Sequence, residues 1–224
     1  MNIALIPARG GSKRILKKNS KIFFGNPIIF YPIKVLINSK LFDKIFVTSD
    51  DENLISYINK NFPHIKTIKR KKKLSSDNVK TITVVKNFIK NDLKIKNVKI
   101  ICCVYPTTPL LNVENLKLGL KICKKFRNFV FPVLKSNFTS GKFIKLKSNT
   151  IEKVLTKNDN FTVNYQDSGQ FYWGTLGNWL KKKKIIDKSS KCFAVGDQDA
   201  IDINTNEDWN KAKKLFKKKM NKST

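Results

Sequence analysis

Short apolar runs alternate with amphipathic segments over the first 133 residues of the chain. Runs of this length, bounded by turn residues, are typical of buried strands, and apolar stripes at helical spacing predict helices between them. The alternation predicts a largely parallel sheet covered by helices on both faces. The predicted strands are residues 3–6, 44–49, 65–68, 98–104 and 128–133. The predicted helices are residues 28–39, 49–62, 79–92 and 112–126. Pro27 is suited to the first turn of the helix at residues 28–39.

The pattern changes after residue 134, where short apolar runs are interrupted by polar residues. The runs 143–146, 151–155 and 161–165 predict a β-rich insertion or arm at about residues 135–170. No stretch rich in Pro, Gly or Ser bounds it, so we expect a single domain over residues 1–224. Acidic and apolar residues alternate at 197–204, where a strand would place Asp202 and Asn204 on one face. A final helix is predicted from about residue 206 to residue 219.

The segment that follows the first strand, residues 8–14, is here called the opening loop, and its sequence is Ala-Arg-Gly-Gly-Ser-Lys-Arg. Its glycines allow the backbone to approach a ligand closely. Arg9, Lys13 and Arg14 supply positive charge for an anionic ligand such as a chain of phosphates. A solvated basic turn at a strand end would have the same composition, so the loop alone leaves both interpretations open. It matches neither the P-loop nor the dinucleotide fingerprint.

Other segments are predicted to meet the opening loop. Residues 49–50 and 105–107 also follow strands directly, and ligands of parallel sheets bind outside the carboxyl ends of the strands. Residues 69–77, here called the basic loop, end in a cap-like Ser-Ser-Asp. A solvated connection remains the alternative for this loop.

The formal net charge of +30 suggests nucleic-acid binding. However, only four of the 46 basic residues are Arg, and the remaining 42 Lys are dispersed along the chain rather than clustered. Compositional drift would also produce such enrichment in Lys, Ile and Asn, and no nucleic-acid-binding motif is present. A basic nucleic-acid-binding module therefore stays the rival hypothesis, and we expect no nucleic-acid partner.

Cysteine usage and hydropathy predict the compartment. The four cysteines have no metal-ligand spacing, His64 has no His or Cys partner nearby, and buried reduced thiols are expected. No apolar segment approaches the length of a membrane span, and the first apolar run is too short for a secretory signal. We therefore expect a cytoplasmic protein with no membrane partner.

Four ordered blocks resemble the cytidylyltransferases that activate nonulosonic acids, the acylneuraminate and pseudaminic acid enzymes. The blocks are I-P-A-R-G-G-S-K-R, V-T-S-D-D-E, Y-P-T-T-P-L-L and D-A-I-D-I-N-T-N-E-D-W. The block D-S-G-Q-F-Y-W-G is similar to the pseudaminic acid branch. The resemblance implies an α/β, Rossmann-like three-layer fold of the nucleotide-diphospho-sugar transferase type. It also implies a homodimer whose arm reaches the partner's sugar site.

The activity implied by this resemblance is transfer of CMP from CTP to a nine-carbon sugar acid, with Mg²⁺ as cofactor and pyrophosphate as the second product. Pseudaminic acid is the expected acceptor, and N-acetylneuraminate or a legionaminate-type acid is the alternative. The resemblance implies catalytic roles for Arg9, Lys13, Lys18 and Asp202. Nucleotide contacts are expected from Ala8, Gly10, Gly11, Ser12, Arg14, Arg70, Ser76 and Thr107. Sugar contacts are expected from Asp167, Gln170 and Tyr172, and metal contacts from Asp202 and Asn204.

The sequence departs from the family pattern at two positions. Asn204 stands where the family often has a second aspartate, which predicts weaker Mg²⁺ binding because an amide oxygen carries less charge. Leu16 replaces a family proline, which predicts a looser approach of the chain to Lys17 and Lys18.

Overall fold

A ten-stranded sheet runs through the computed structural model, which describes residues 1–136, 143–147, 150–155 and 164–221. The strands are β1 Asn2–Pro7, β2 Ile22–Phe23, β3 Asn26–Pro27, β4 Lys44–Ser49, β5 Lys66–Lys69, β6 Ile100–Val104, β7 Val130–Ser136, β8 Phe143–Lys147, β9 Thr150–Leu155, β10 Asn164–Asp167, β11 Phe171–Thr175 and β12 Lys191–Ala194. The helices are α1 Phe30–Ser39, α2 Glu52–Asn61, α3 Thr81–Asn87, α4 Val113–Phe126, α5 Leu176–Lys181 and α6 Asn206–Asn221. A 3₁₀ turn at Lys72–Leu74 and a π-helical turn at Phe88–Asp92 complete the assignment.

The strand order is β5-β4-β1-β6-β11-β7-β12-β9-β8-β10, and β2 and β3 form a separate hairpin. Strands β5, β4, β1 and β6 are mutually parallel, as the alternation predicted. Strand β11 enters antiparallel between β6 and β7, so the second half of the sheet is mixed. The chain adds β4 and β5 on one side of β1 and later β6 on the other. This reversal opens a crevice at the carboxyl end of β1.

The predicted arm contains β8, β9 and β10, which pair with one another and continue the central sheet. Strand β10 also pairs with β7, so these strands fold back onto the middle of the sheet. The predicted strand 161–165 begins outside the described residues, and the observed strand is Asn164–Asp167.

Apolar residues of β1 alternate between the two faces of the sheet. Ala4 and Ile6 belong to the cluster on one face, and Ile3 and Leu5 belong to the cluster on the other. The four cysteines are buried and free, as expected. A third cluster lies beside the sheet, where α6 packs against the segments that follow β1. None of the described helices combines the length and apolar character needed to span a membrane.

Two local predictions are wrong. Pro27 lies in β3 opposite Ile22 rather than in the first turn of a helix, because Gly25, at φ +84°, closes a tight hairpin before α1 starts. Residues 197–204 form no strand. Ile201 and Ile203 are nevertheless buried, because they pack against α6 rather than against a neighbouring strand.

Candidate active site

A cleft of about 580 Å³ opens at the carboxyl ends of β1 and β6. The opening loop, the basic loop and residues 105–107 all line it. The predicted convergence of the opening loop with residues 105–107 is confirmed by this lining, and its convergence with residues 49–50 is confirmed by the hydrogen bond from the Gly10 N–H to Asp50. The lining residues are Pro7, Arg9, Ser12, Lys13, Arg14, Lys18, Asn19, Arg70, Leu74, Ser76, Asp77, Val79, Thr81, Val84, Tyr105, Pro106 and Thr107. Eight of the predicted site residues are therefore brought together: Arg9, Lys13, Lys18, Ser12, Arg14, Arg70, Ser76 and Thr107.

Two cations of the opening loop meet a carboxylate from the opposite wall. The Arg9 guanidinium lies 2.5 Å from Asp77 Oδ1, and Lys13 Nζ lies 3.3 Å from Asp77 Oδ2. These contacts hold the pKa of Asp77 below its usual range, first through its hydrogen bond from Arg9. The carboxylate is therefore ionised where it contacts the two cations.

Lys18 connects the cleft to the segment that precedes α6. Its Nζ donates a 2.5 Å hydrogen bond to the carbonyl of Ile203. Burial lowers the pKa of Lys18, and the nearby Asp202 carboxylate partly offsets that effect. A cation is thus fixed between the opening loop and the residues predicted to bind metal.

Arg70 is the most deeply buried cation of the cleft, with a side chain only 5% exposed. Its Nε donates to Ser75 Oγ at 3.1 Å, and its Nη2 lies 3.7 Å from Asp50 Oδ1. Burial lowers the pKa of Arg70. Within the described part of the chain, Nη2 has no partner at hydrogen-bond distance, and a buried donor without a partner is costly in the absence of a ligand or water. The burial of Arg70 excludes the alternative that this part of the basic loop is only a solvated connection.

The structure corrects the prediction for two residues of the opening loop. Ala8 is fully buried in the core, and its N–H donates to the Thr48 carbonyl at 2.9 Å, so this N–H is not available to a nucleotide. The Gly10 N–H donates to Asp50 Oδ1 at 2.9 Å, so it is not available to cradle a phosphate. Gly11 is exposed and remains a candidate contact.

Two predicted sugar contacts, Gln170 and Tyr172, are buried in the structure. Gln170 is 1% exposed, and its Nε2 donates to the Asp199 carbonyl at 2.7 Å. Tyr172 is 4% exposed, and its hydroxyl donates to Asp167. Tyr172 belongs to β11, which lies in the sheet between β6 and β7, and Gln170 directly precedes that strand.

Asp167 is partly buried between Tyr172 and the N–H of Gly169, which donates to Asp167 Oδ1 at 3.0 Å. Burial raises the pKa of Asp167 to about 6. A Cβ on Gly169 would lie 3.0 Å from Asp202 Cγ, so residues 167–169, here called the Asp167 turn, lie against the predicted metal ligand Asp202. Glycine is required there by this close approach and by its φ of +64°.

Asp202 and Asn204 are not among the residues that line the cleft, but Asp202 is exposed and lies near enough to Lys18 for their charges to interact. Asn204 Nδ2 donates to Asp202 Oδ2 at 2.6 Å. Desolvation by neighbouring atoms raises the pKa of Asp202, although the Asn204 hydrogen bond opposes this. Asp208 accepts hydrogen bonds from the N–H groups of Asn204 and Thr205, which fixes the backbone. Two oxygen-bearing side chains are therefore held side by side.

The sequence prediction gave no site role to Asp77 or Thr81, and it placed Asp50 and Tyr105 at the same edge of the sheet without naming their contacts. The Thr81 and Tyr105 hydroxyls lie 2.7 Å apart on the cleft wall. Asp50 was placed at the correct edge of the sheet, but its contacts with the opening loop were not foreseen. Asp77 carried one usable signal, since an acid stands at the end of a loop otherwise rich in Lys and Arg.

A family model described as Cytidylyltransferase matches residues 3–199. The chain belongs to this cytidylyltransferase family. The match spans the opening loop, the basic loop and β11, so it includes all segments that build the cleft.

Curated relatives of this cytidylyltransferase extend over its whole length. A pseudaminic acid cytidylyltransferase of Campylobacter jejuni is 34% identical over 225 residues, which cover 96% of either chain. An N-acylneuraminate cytidylyltransferase of Escherichia coli O18:K1:H7 is 24% identical over 97% of this chain and 52% of the relative. A CMP-N,N'-diacetyllegionaminic acid synthase of Legionella pneumophila is also 24% identical, over 96% of this chain and 95% of the relative.

Solved structures share the fold of this cytidylyltransferase. A CMP:2-keto-3-deoxy-manno-octonic acid synthetase in complex with CTP superposes with a TM-score of 0.77 at 12% identity, covering 97% of this chain and 99% of the other. A 4-diphosphocytidyl-2C-methyl-D-erythritol synthase has a TM-score of 0.66 at 13% identity, covering 96% and 97%. The predicted α/β nucleotidyltransferase fold is confirmed.

Proposed function

We propose that this protein transfers CMP from CTP to the anomeric hydroxyl of pseudaminic acid, giving CMP-pseudaminic acid and pyrophosphate. The observation that carries the proposal is the cleft at the switch point of the sheet, where Arg9, Lys13, Lys18 and Arg70 face one space. The full-length similarity to a pseudaminic acid cytidylyltransferase supports the choice of sugar.

In the proposed reaction, the anomeric hydroxyl attacks the α-phosphorus and the bond to pyrophosphate breaks. Such a step depends mainly on positioning and on neutralising charge. Arg9 and Lys13 project from the opening loop and would bind the triphosphate, and Lys18 would lie nearer the α-phosphate, beside Asp202. Ser12, Arg14 and the Gly11 amide are further phosphate donors, while Arg70, Ser76 and Thr107 would contact the nucleoside.

Mg²⁺ fits the proposal because Asp202 and Asn204 present hard oxygen donors next to Lys18. Mg²⁺ usually keeps several waters and takes only one or two protein ligands, so this small set is sufficient. No larger group of His, Cys, Asp or Glu able to hold a metal occurs in the described part of the chain. When bound, the ion would supply charge neutralisation at the phosphates. Asn204 would make its binding weaker than a second carboxylate would.

The sugar would lie beyond Asp202, above the Asp167 turn. Gln170 and Tyr172 would shape this surface through Asp199 and Asp167 rather than touch the sugar. We also propose a homodimer, with β8 to β10 near the partner, and a cytoplasmic location, where CTP is available. A sedimentation measurement that gives a monomer at assay concentration would contradict the dimer.

Pyrophosphate release from CTP tests the proposed function directly. The purified protein is assayed with Mg²⁺ and, in parallel, with pseudaminic acid, N-acetylneuraminate and a legionaminate-type acid. We expect release with pseudaminic acid at the highest kcat/KM and at least a hundredfold loss in Asp202→Ala, about the effect of removing one transition-state contact. Absence of release with all three acids would refute the function, whereas a preference for another acid would refute only the choice of sugar.

A further inference from the structure

Asp77 is an unexpected carboxylate in a cleft built from cations. Among the described lining residues, the cations are Arg9, Lys13, Arg14, Lys18 and Arg70, and Asp77 is the only acid. A carboxylate in an anion-binding cleft opposes binding of the anion, since like charges repel at short distance.

The contacts of Asp77 show which cations its carboxylate would withhold from an anionic ligand. One carboxylate oxygen contacts the Arg9 guanidinium at 2.5 Å and the other contacts Lys13 Nζ at 3.3 Å. Arg9 and Lys13 are also the cations proposed to bind the triphosphate. Asp77 therefore uses both of its oxygens on the donors that phosphate oxygens would use.

The position of Asp77 in the chain links the two walls of the cleft. It lies at the end of the basic loop, which also contributes Arg70 and Ser76 to the lining, whereas Arg9 and Lys13 come from the opening loop. Its side chain is 43% exposed, so it can move away from the cations without disturbing the core. Its N–H and C=O groups belong to a turn that precedes α3, not to a strand.

We propose that Asp77 is an internal competitor for the triphosphate subsite: it pairs with Arg9 and Lys13, yields them to the phosphates of CTP, and takes them back as pyrophosphate leaves. The inference rests on the proposed function for the identity of the phosphates. Its consequence is weaker binding of CTP and of pyrophosphate than the cations alone would give, which favours release of the product.

The test is calorimetric titration of inorganic pyrophosphate into the wild type and Asp77→Asn, with no sugar present. We expect Asp77→Asn to bind pyrophosphate roughly three- to tenfold more tightly, about the size expected from removing two exposed ion pairs that compete with the ligand. CTP binding should tighten by a similar factor. Asp77→Ser, which removes the charge with a different side chain, should behave in the same way.

The matched control is Glu52→Gln. Glu52 Oε1 lies 2.5 Å from Lys69 Nζ, the same separation as in the Arg9–Asp77 pair, but neither Glu52 nor Lys69 lines the cleft. This change should leave the pyrophosphate affinity within twofold of the wild type. Equal tightening in Glu52→Gln would overturn the inference, since net charge alone would then explain the result. Unchanged or weaker binding in both Asp77 variants would also overturn it, because Asp77 would then position the cations rather than compete for them. Since no sugar takes part, these results do not depend on whether CMP transfer is observed.

Discussion

Lys18→Met is the substitution that most directly tests the proposed arrangement of the cleft. It keeps the length of the side chain and removes the ammonium that joins the opening-loop region to the Ile203 carbonyl. If Lys18 acts on the α-phosphate, the loss should be seen in kcat rather than only in the KM for CTP.

The expected magnitude for Lys18→Met follows from two opposing terms. A hydrogen bond from a charged donor contributes about 1.5–3 kcal/mol to stability. Desolvation of the ammonium, which lowers the pKa of Lys18, offsets much of that contribution, so the free energy of unfolding should fall by no more than about 1 kcal/mol. In the reaction, removal of one electrostatic contact to the transition state costs about 3–4 kcal/mol, which corresponds to a loss of about 10²- to 10³-fold in kcat.

The assay compares Lys18→Met with Lys17→Met by pyrophosphate release and by urea unfolding. Lys17 is adjacent and exposed and does not line the cleft, so its variant should keep nearly full activity. A Lys18→Met enzyme within threefold of the wild type in kcat would refute the assigned role. Equal losses in both variants would attribute the effect to the loop rather than to the Lys18 ammonium.

Three further predictions concern Asp167, Gly174 and Asn204. Burial raises the pKa of Asp167 to about 6, above the value near 3.9 of an unfolded chain, so its stabilising contribution is complete below about pH 4 and is lost as the pH rises through about 6. Urea unfolding from pH 4 to 7 should therefore show a slope in the wild type, of about 2–3 kcal/mol in total, that is absent from Asp167→Asn. Gly174→Ala would place a Cβ 2.6 Å from a phenyl carbon and should reduce the free energy of unfolding by about 1–3 kcal/mol, whereas Gly177→Ala, with its nearest atom at 3.8 Å, should not. Asn204→Asp replaces the amide that donates to Asp202 with a second carboxylate and should lower the Mg²⁺ concentration for half-maximal activity severalfold; an unchanged Mg²⁺ dependence would contradict the proposed metal contact.

The parallel half of the sheet could be predicted because its strands bury both faces and therefore appear as continuous apolar runs. The meeting of the opening loop with residues 105–107 followed from strand direction alone. Strand β11 was different: the sequence linked its block, D-S-G-Q-F-Y-W-G, only to sugar contacts implied by the resemblance, whereas pairing with β6 and β7 places the strand in the core. Such pairing joins residues far apart in the chain, and no local pattern encodes it.

The roles of charged residues were harder to predict than the fold. Arg70 could be assigned only through the resemblance, because its burial depends on the packing of the basic loop. Asp77 gave a local signal for a cap, but its ion pairs with Arg9 and Lys13 form across the cleft. Gly10 shows the opposite error, since a backbone amide expected to be available is used within the protein by Asp50.

The third apolar cluster determines when, during synthesis of the chain, the active-site cleft can reach its final structure. Ile15 and Phe23, near the opening loop, share that cluster with Ile203 and with Trp209 of α6. The residues near the opening loop therefore acquire their final environment only after α6 has emerged from the ribosome. A nascent chain that ends before α6 would contain every residue of the cleft lining, yet Ile203, whose carbonyl accepts the hydrogen bond from Lys18, would lack its packing against α6. Activity is thus expected to arise once α6 has been synthesised rather than in proportion to the length of folded chain.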